Sequence, residues 1–243
     1  MNDHELAARL ATRAGDLLLD VRADFADAPA QDRKAAGDKQ SHDFLMAELA
    51  RQRPGDAVLS EEGVDDPARL DAERVWIVDP LDGTREFSEL GREDWAVHVA
   101  LWQAGELVAG AVALPAQNMT LSTPEVAGPL PLEGPPRVVV SRTRPPAIAL
   151  AVRDALDGTL VEMGSAGAKV AAVIRGHADV YVHAGGQYEW DSAAPVAVAR
   201  AAGMHTSRID GSPLRYNARD PKLPDLIVCR PELAEQVLAV TRS

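Results

Sequence analysis

The chain reads as a mixed α+β protein in two lobes, the first mainly α+β and the second α/β. Three observations predict this: helical spacing of apolar residues within 3–51, a series of short extended runs between 57 and 122, and a Pro- and Gly-rich stretch at 124–136 beyond which strand and helix patterns alternate.

In the first lobe, Leu6, Leu10, Ala14, Leu17, Leu18 and Val21 recur at helical spacing behind Asp3, which predicts a core-facing helix over 3–21. A second helix is expected over 41–51, where Phe44, Leu45 and Leu49 form an apolar stripe that Pro54-Gly55 ends. Strands are expected at 57–59, 75–78, 95–102, 107–114 and 119–122, with a hairpin turn at Gln103-Ala104-Gly105-Glu106. The 124–136 stretch marks the expected boundary, dividing the chain into lobes 1–130 and 131–243. Beyond it the pattern predicts strands at 138–140, 160–161, 180–182 and 226–229. Helices alternate with them at 147–156, 166–175, 192–202 and 232–240.

With 243 residues, 46% of them apolar, the chain can bury a sizeable core. Its 37 acidic against 25 basic residues give a net charge of -12, which argues against binding a nucleic acid polymer. An acidic protein that acts on phosphate esters needs a bound cation or a local group of N–H donors to receive the anion. The single cysteine, Cys229, lies in the run Leu226-Ile227-Val228-Cys229 and reads as a buried strand thiol. No apolar run approaches the ~20 residues of a membrane span, and the first residues lack a basic signal-peptide region, so a soluble cytoplasmic protein is expected.

Acidic residues stand where strands end. Glu61-Glu62 follows Val58-Leu59-Ser60, Asp79 and Asp82 close the strand 75–78, and Asp191 opens the helix after Glu189-Trp190. Strand ends are where α/β sheets present ligand-binding groups. Singly, each has a structural reading: solvated loop charges at Glu61 and Glu62, turn formers around Pro80 and Gly83, a helix cap at Asp191. In the segment Asp79-Pro80-Leu81-Asp82-Gly83-Thr84, however, two carboxylates and the Leu81 carbonyl can converge, an all-oxygen set suited to a hard cation. Gly83 and Thr84 then offer backbone N–H groups to a phosphate at a possible helix start.

Ser60-Glu61-Glu62-Gly63, Asp79-Pro80-Leu81-Asp82-Gly83-Thr84 and Trp190-Asp191-Ser192-Ala193-Ala194-Pro195 resemble, in order and spacing, the metal-binding motifs of the inositol-monophosphatase superfamily of lithium-sensitive phosphatases. Asp38, in Gly37-Asp38-Lys39, matches that family's earlier acidic motif, and Gly164-Ser165-Ala166-Gly167-Ala168-Lys169 matches its Gly-Ser-x-Gly-x-Lys element. The details look like the bisphosphate-nucleotidase branch, whose members hydrolyse 3′-phosphoadenosine 5′-phosphate to AMP: Leu59-Ser60-Glu61-Glu62, Thr84-Arg85-Glu86-Phe87 and Val140-Ser141-Arg142. Where the inositol enzymes carry a binding Glu, this chain carries Ala184.

The resemblance implies a layered αβαβα sandwich, and two or three Mg²⁺ ions held by Glu61, Asp79, the Leu81 carbonyl, Asp82 and Asp191. It implies Asp38, Glu61 and Thr84 as the catalytic groups that orient and deprotonate water, with no covalent nucleophile. Substrate contacts would come from Asp82, Gly83, Thr84, Arg142, Ser165, Lys169 and Asp191, with Glu189 and Tyr216 as further candidates. It also implies a small phosphorylated substrate, a role in sulfur metabolism and a homodimer. The histidines, His98 among them, show no metal-ligand spacing and read as structural or surface residues. Asp82→Asn is expected to abolish turnover in an intact fold, since it removes ligand charge at constant size.

Three alternatives stay open. A haloacid-dehalogenase type of phosphatase also carries an Asp-x-Asp-Gly-Thr motif, but Asp79 and Asp82 are three apart rather than two. A non-catalytic module could retain the fold, although every expected metal ligand is present. Inositol monophosphate or fructose 1,6-bisphosphate could replace the nucleotide as main substrate.

Overall fold

The computed structural model describes residues 1–129 and 131–242. The expected lobe boundary falls on Leu130, outside the described residues. Helices α1 (Asp3–Asp24) and α2 (Ala30–Gln52) lead into a five-stranded sheet of β1 (Ala57–Ser60), β2 (Arg74–Asp82), β3 (Ala96–Gln103), β4 (Glu106–Leu114) and β5 (Met119–Ser122). These strands lie side by side in chain order, antiparallel except for the parallel β1–β2 pair, and a short helix α3 (Thr84–Ser88) follows β2.

Then come β6 (Arg137–Ser141), α4 (Ala147–Ala155), β7 (Thr159–Met163), α5 (Ala166–Ile174), β8 (Val180–Ala184), α6 (Glu189–Ala201), β9 (His205–Ser207), β10 (Asp225–Cys229) and α7 (Ala234–Thr241). Their strands form a second sheet ordered β7-β6-β8-β10-β9, parallel across β7, β6 and β8 and antiparallel beyond.

Strand periodicity explains the layers. In β2, Trp76 and Val78 face a cluster with Leu6, Leu10 and Leu45 of α1 and α2, while Val75 and Ile77 face the opposite cluster with Val170, Val173 and Val196 of α5 and α6. In the second sheet, Val139, Leu226 and Val228 face that same central cluster, and Val138, Val140 and Ile227 face Ala149, Val152 and Val237 of α4 and α7. Strands buried on both faces read as continuous apolar runs. The result is the αβαβα sandwich, with α5 and α6 between the sheets.

Two helices start earlier than the apolar pattern indicates. Helix α2 begins at Ala30 because its buried stripe, Arg33, Gly37, Ser41, Leu45 and Leu49 at four-residue steps, is polar or small over its first half. Arg33 donates to the carbonyls of Phe25, Ala26, Ala28 and Ser88, and a Cβ at Gly37 would lie 2.7 Å from the Phe87 ring. A hydrophobic count misses a face held by a guanidinium and a close approach. Helix α6 begins at Glu189 rather than at residue 192, because the Asp191 carboxylate accepts from the Tyr188 N–H at 2.7 Å and caps the turn. Cys229 is buried in β10, its thiol pushed up to about 12 chiefly by that burial.

Candidate metal centre

The centre begins with a defect in the sheet. On β3 the partners of Asp79 and Asp82 are His98 and Ala96, so three steps along β2 oppose two along β3. Side chains three apart on a regular strand point to opposite faces, but one extra residue resets the alternation. The bulge sits at Pro80, which has no N–H to give the ladder, and whose carbonyl instead accepts from Ser41 Oγ at 2.7 Å. Asp79 and Asp82 therefore face the same way, and Asp191, from the first turn of α6, completes the set. One ligand oxygen from each of the three lies within 4.8 Å of the others.

Three carboxylates this close cannot all stay charged without a cation. Asp79 is buried and raised well above the ordinary carboxylate range, first by burial and then by Glu61, Asp82 and Asp191. Asp191 is raised to about 7 by burial and then by Asp82. Glu61 lies just past β1 with its side chain open to solvent at the mouth, yet enclosure in the cleft, with Asp82, Glu62 and Asp38 nearby, raises it to about 7 as well. Asp38, in the middle of α2, is raised to about 6 by burial and by Glu62, against the pull of the Thr84 hydroxyl beside it and of Lys34. This donor set, all oxygen and short of positive charge, fits a hard divalent cation.

Asp82 behaves differently. Its carboxylate accepts from Ser165 Oγ at 2.5 Å, from Ala166 N at 3.1 Å and from Gly167 N at 2.6 Å, the start of α5, and His98 Nε2 lies 3.1 Å from Oδ2. Burial works against its charge, but His98, Ser165 and Gly167 hold it down to about 2. Three of these four contacts converge on Oδ2, which leaves Oδ1 the freer oxygen to face a cation. Asn at position 82 would turn an amide N–H toward this group of donors, so Asp82→Asn removes fold stability together with ligand charge.

His98, a structural or surface residue by its spacing, lies fully buried against Asp82. Its Nδ1 lies 3.0 Å from the Trp190 carbonyl, and its Nε2 lies 3.1 Å from Asp82 Oδ2 as a close charge contact rather than an aligned hydrogen bond; burial opposes a charged ring, but Asp82 raises the net affinity for the proton. The ring ties β2 to the turn that carries Asp191, and a Cβ at Gly167 would strike its Nε2. The signal was a lone polar residue in the apolar run Trp95-Ala96-Val97-His98-Val99-Ala100-Leu101. His98→Ala is expected to cost about 3 kcal/mol in urea unfolding, the loss typical of breaking a buried charge pair. A cost below about 1 kcal/mol would show that Asp82 does not depend on the ring.

The candidates that follow β6 are engaged elsewhere than in an open pocket. Ser165, at φ +35, gives its hydroxyl proton to Asp82, and Lys169 is buried with Nζ 2.7 Å from both the Gly164 and Ser165 carbonyls. Lys169 thereby braces the turn that holds Asp82. Arg142 pairs with Glu86 at 2.7 Å and Glu89 at 2.6 Å, bridging the loop after β6 to α3 and the residue beyond it. Glu189 accepts from Asn217 N and Ala218 N, and Tyr216 OH meets Ser192 Oγ at 3.3 Å. Gly83 caps α3 at φ +85, where a Cβ would lie 3.0 Å from Ser165, and the Thr84 hydroxyl donates to the Leu81 carbonyl at 3.2 Å. Since α3 spans only five residues, its free N–H groups rather than a helix dipole are what Gly83 and Thr84 offer an anion.

Residues 3–243 match the family model described as "Inositol monophosphatase family". The chain is 55% identical over 234 residues to the Mycobacterium bovis protein named "3'-phosphoadenosine 5'-phosphate phosphatase", covering 93% of this chain and 88% of that protein. It is 32% identical over 231 residues to the "3'(2'),5'-bisphosphate nucleotidase CysQ" of Escherichia coli K12, covering 87% and 93% of the two. Among solved structures, CysQ from Bacteroides thetaiotaomicron superposes with a TM-score of 0.77 at 29% identity, over 93% of this chain and 96% of that one.

Proposed function

Since the chain belongs to the inositol monophosphatase family, we propose that it is a Mg²⁺-dependent phosphomonoesterase that hydrolyses 3′-phosphoadenosine 5′-phosphate to AMP and phosphate, in sulfur metabolism. The observation that carries the reading is the convergence of Asp79, Asp82 and Asp191 within 4.8 Å. Glu61, Asp79, the Leu81 carbonyl, Asp82 and Asp191 are the residues to hold two or three Mg²⁺ ions. Once bound, Mg²⁺ supplies positive charge for the phosphoryl group and makes water a stronger acid.

The chain's own groups do the rest. The Thr84 hydroxyl has one proton and two acceptors beside it, the Leu81 carbonyl and Asp38, so it can position a water and pass a proton toward Asp38. At about 6, Asp38 is a carboxylate able to accept that proton near neutral pH, and Glu61 at the mouth is the second candidate base. Asp82 Oδ2 and the α5 turn keep the ligand oxygens in place, while Gly83 and Thr84 offer N–H donors to the phosphate. In this reading Ser165 and Lys169 act on substrate through Asp82, and Arg142 reaches a second phosphate only by leaving Glu86 and Glu89. The lobe division, with Asp191 closing the site from the second lobe, a homodimer and a cytoplasmic location belong to the same proposal; no described helix is long and apolar enough to cross a membrane.

The test is phosphate release with and without Mg²⁺ from 3′-phosphoadenosine 5′-phosphate, inositol 1-phosphate and fructose 1,6-bisphosphate at equal concentration. Strong Mg²⁺-dependent preference for the nucleotide is the expected result. Preference for either sugar phosphate would keep the metal centre and overturn the substrate; no release from any would overturn the activity.

A further inference from the structure

We propose that a second, metal-independent anion site lies at the far end of α5, where an arginine-lined pocket of about 310 Å³ takes the phosphate group of a small phosphorylated molecule. The pocket is lined by Pro131, Glu133, Arg137, Arg175, Gly176 and Arg230. Its three arginines come from the start of β6, the residue after α5 and the residue after β10, so the fold brings them together rather than the sequence.

Two of them are held in place from behind. Asp179 is completely buried; it accepts from the Arg137 N–H and Nε at 2.8 Å, from Arg137 Nη2 at 3.1 Å and from Arg230 Nε at 2.6 Å. That leaves Arg137 Nη1 and Arg230 Nη2 with no hydrogen-bond acceptor among the described residues, on guanidinium groups whose orientation is already fixed. Arg230 is 4% exposed. Arg175 gives Nη1 to the neutral Gln117 Oε1 at 2.6 Å and has no acidic partner among the described residues. Gly176, at φ +71, keeps a Cβ out of the wall. His177 next to it is lowered by burial and then by Arg175 and Arg137, the mark of a positive local field.

Opposing charges do not cancel this. The α5 C-terminus contributes about half a negative charge. Glu133 is solvent-exposed in the pocket wall, and Glu232 pairs with Arg230 Nη1 at 3.5 Å from an exposed position, so water screens both carboxylates and Arg230 Nη2 stays outside that pair. Guanidinium N–H groups that touch a phosphate directly make charge-assisted, fork-shaped contacts of the kind Arg is suited to. The volume lies at the small end of ligand pockets, which suits a small phosphorylated molecule. Gly167 in the first turn of α5 holds Asp82 and Arg175 follows the last, so the helix places the two sites roughly 12 Å apart along its axis.

The experiment is calorimetric titration of inorganic pyrophosphate into the protein in excess EDTA, for the wild type, Arg175→Glu and Asp79→Asn, with Mg²⁺-dependent activity of Arg175→Glu as its check of folding. Binding by the wild type, weakened about tenfold or more in Arg175→Glu and unchanged in Asp79→Asn, is expected. Absence of binding by the wild type, equal binding by an active Arg175→Glu, or loss of binding in Asp79→Asn would each overturn the proposal.

Discussion

Asp79→Asn is expected to abolish Mg²⁺-dependent phosphate release, by about 10³-fold or more, while raising the melting temperature of the metal-free protein. The two effects have one cause. Asp79 is buried against Glu61, Asp82 and Asp191, and all of them raise its pKa, so its charge is a liability whenever no cation is present. Asn keeps the one contact the fold requires, because its side-chain oxygen can accept the Leu81 N–H as Asp79 Oδ1 does at 3.0 Å. Its amide N–H₂ then faces carboxylates, which is favourable. A gain of about 1 kcal/mol at pH 8 corresponds to ~2–4 °C for a chain of this length. Activity assays with thermal unfolding in EDTA measure both. An active variant would remove Asp79 from the ligand set, and an inactive one that melts lower would mean that its charge supports the metal-free fold.

The metal-free protein is expected to lose stability as pH rises from about 5.5 to 8, and Mg²⁺ to restore it most at the alkaline end. Glu61 and Asp191 are raised to about 7, Asp38 to about 6, and Asp79 well above its ordinary value. In the unfolded chain these carboxyls titrate at roughly 4. Between the two values the folded state binds more protons, so their contribution is fully present below about pH 4 and is lost as pH climbs through the folded values. Asp82 runs the other way, since at about 2 its contribution holds above pH 4 and fails only in stronger acid, outside this range. A cation that replaces the protons adds about 2.7 kcal/mol at a hundred times its dissociation constant, some 5–10 °C. Thermal unfolding across pH, in EDTA and in Mg²⁺, tests this. A metal-free melting temperature that rises with pH, or a Mg²⁺ shift equal at pH 6 and pH 8, would contradict the assigned charge state of the cleft.

Much of the molecule is legible in the sequence because it is written locally. The apolar runs of β2, β6 and β10 announce strands buried on both faces, and the periodicity of α1 announces a helix with one buried face. Glu61, Asp79 and Asp82 stand out as acids where strands end and Asp191 as an acid at a helix start, and carboxylates grouped in this way suit oxygen-ligand chemistry. The first half of α2 was not legible, because Arg33, Gly37 and Ser41 bury themselves by satisfying carbonyls and by close approach rather than by hydrophobicity.

Which side chain meets which was settled only in three dimensions. Asp79 and Asp82 converge because a bulge at Pro80 resets the strand's alternation, and a bulge is defined by the partner strand. Ser165, Lys169 and Arg142 have a flexible reach, and the fold commits each of them to one set of partners: Asp82, the Gly164–Ser165 turn, and the Glu86–Glu89 pair. His98 and the two arginines on Asp179 acquire meaning only through neighbours far away in the chain. The sequence alone determined the order of strands and helices and the kind of atoms at the centre, since hydrophobic period and side-chain chemistry are local properties, while the layering followed only from the family resemblance. Convergence, charge state and hydrogen-bond partners were decided by the tertiary structure, since they depend on distances between residues that the chain places far apart.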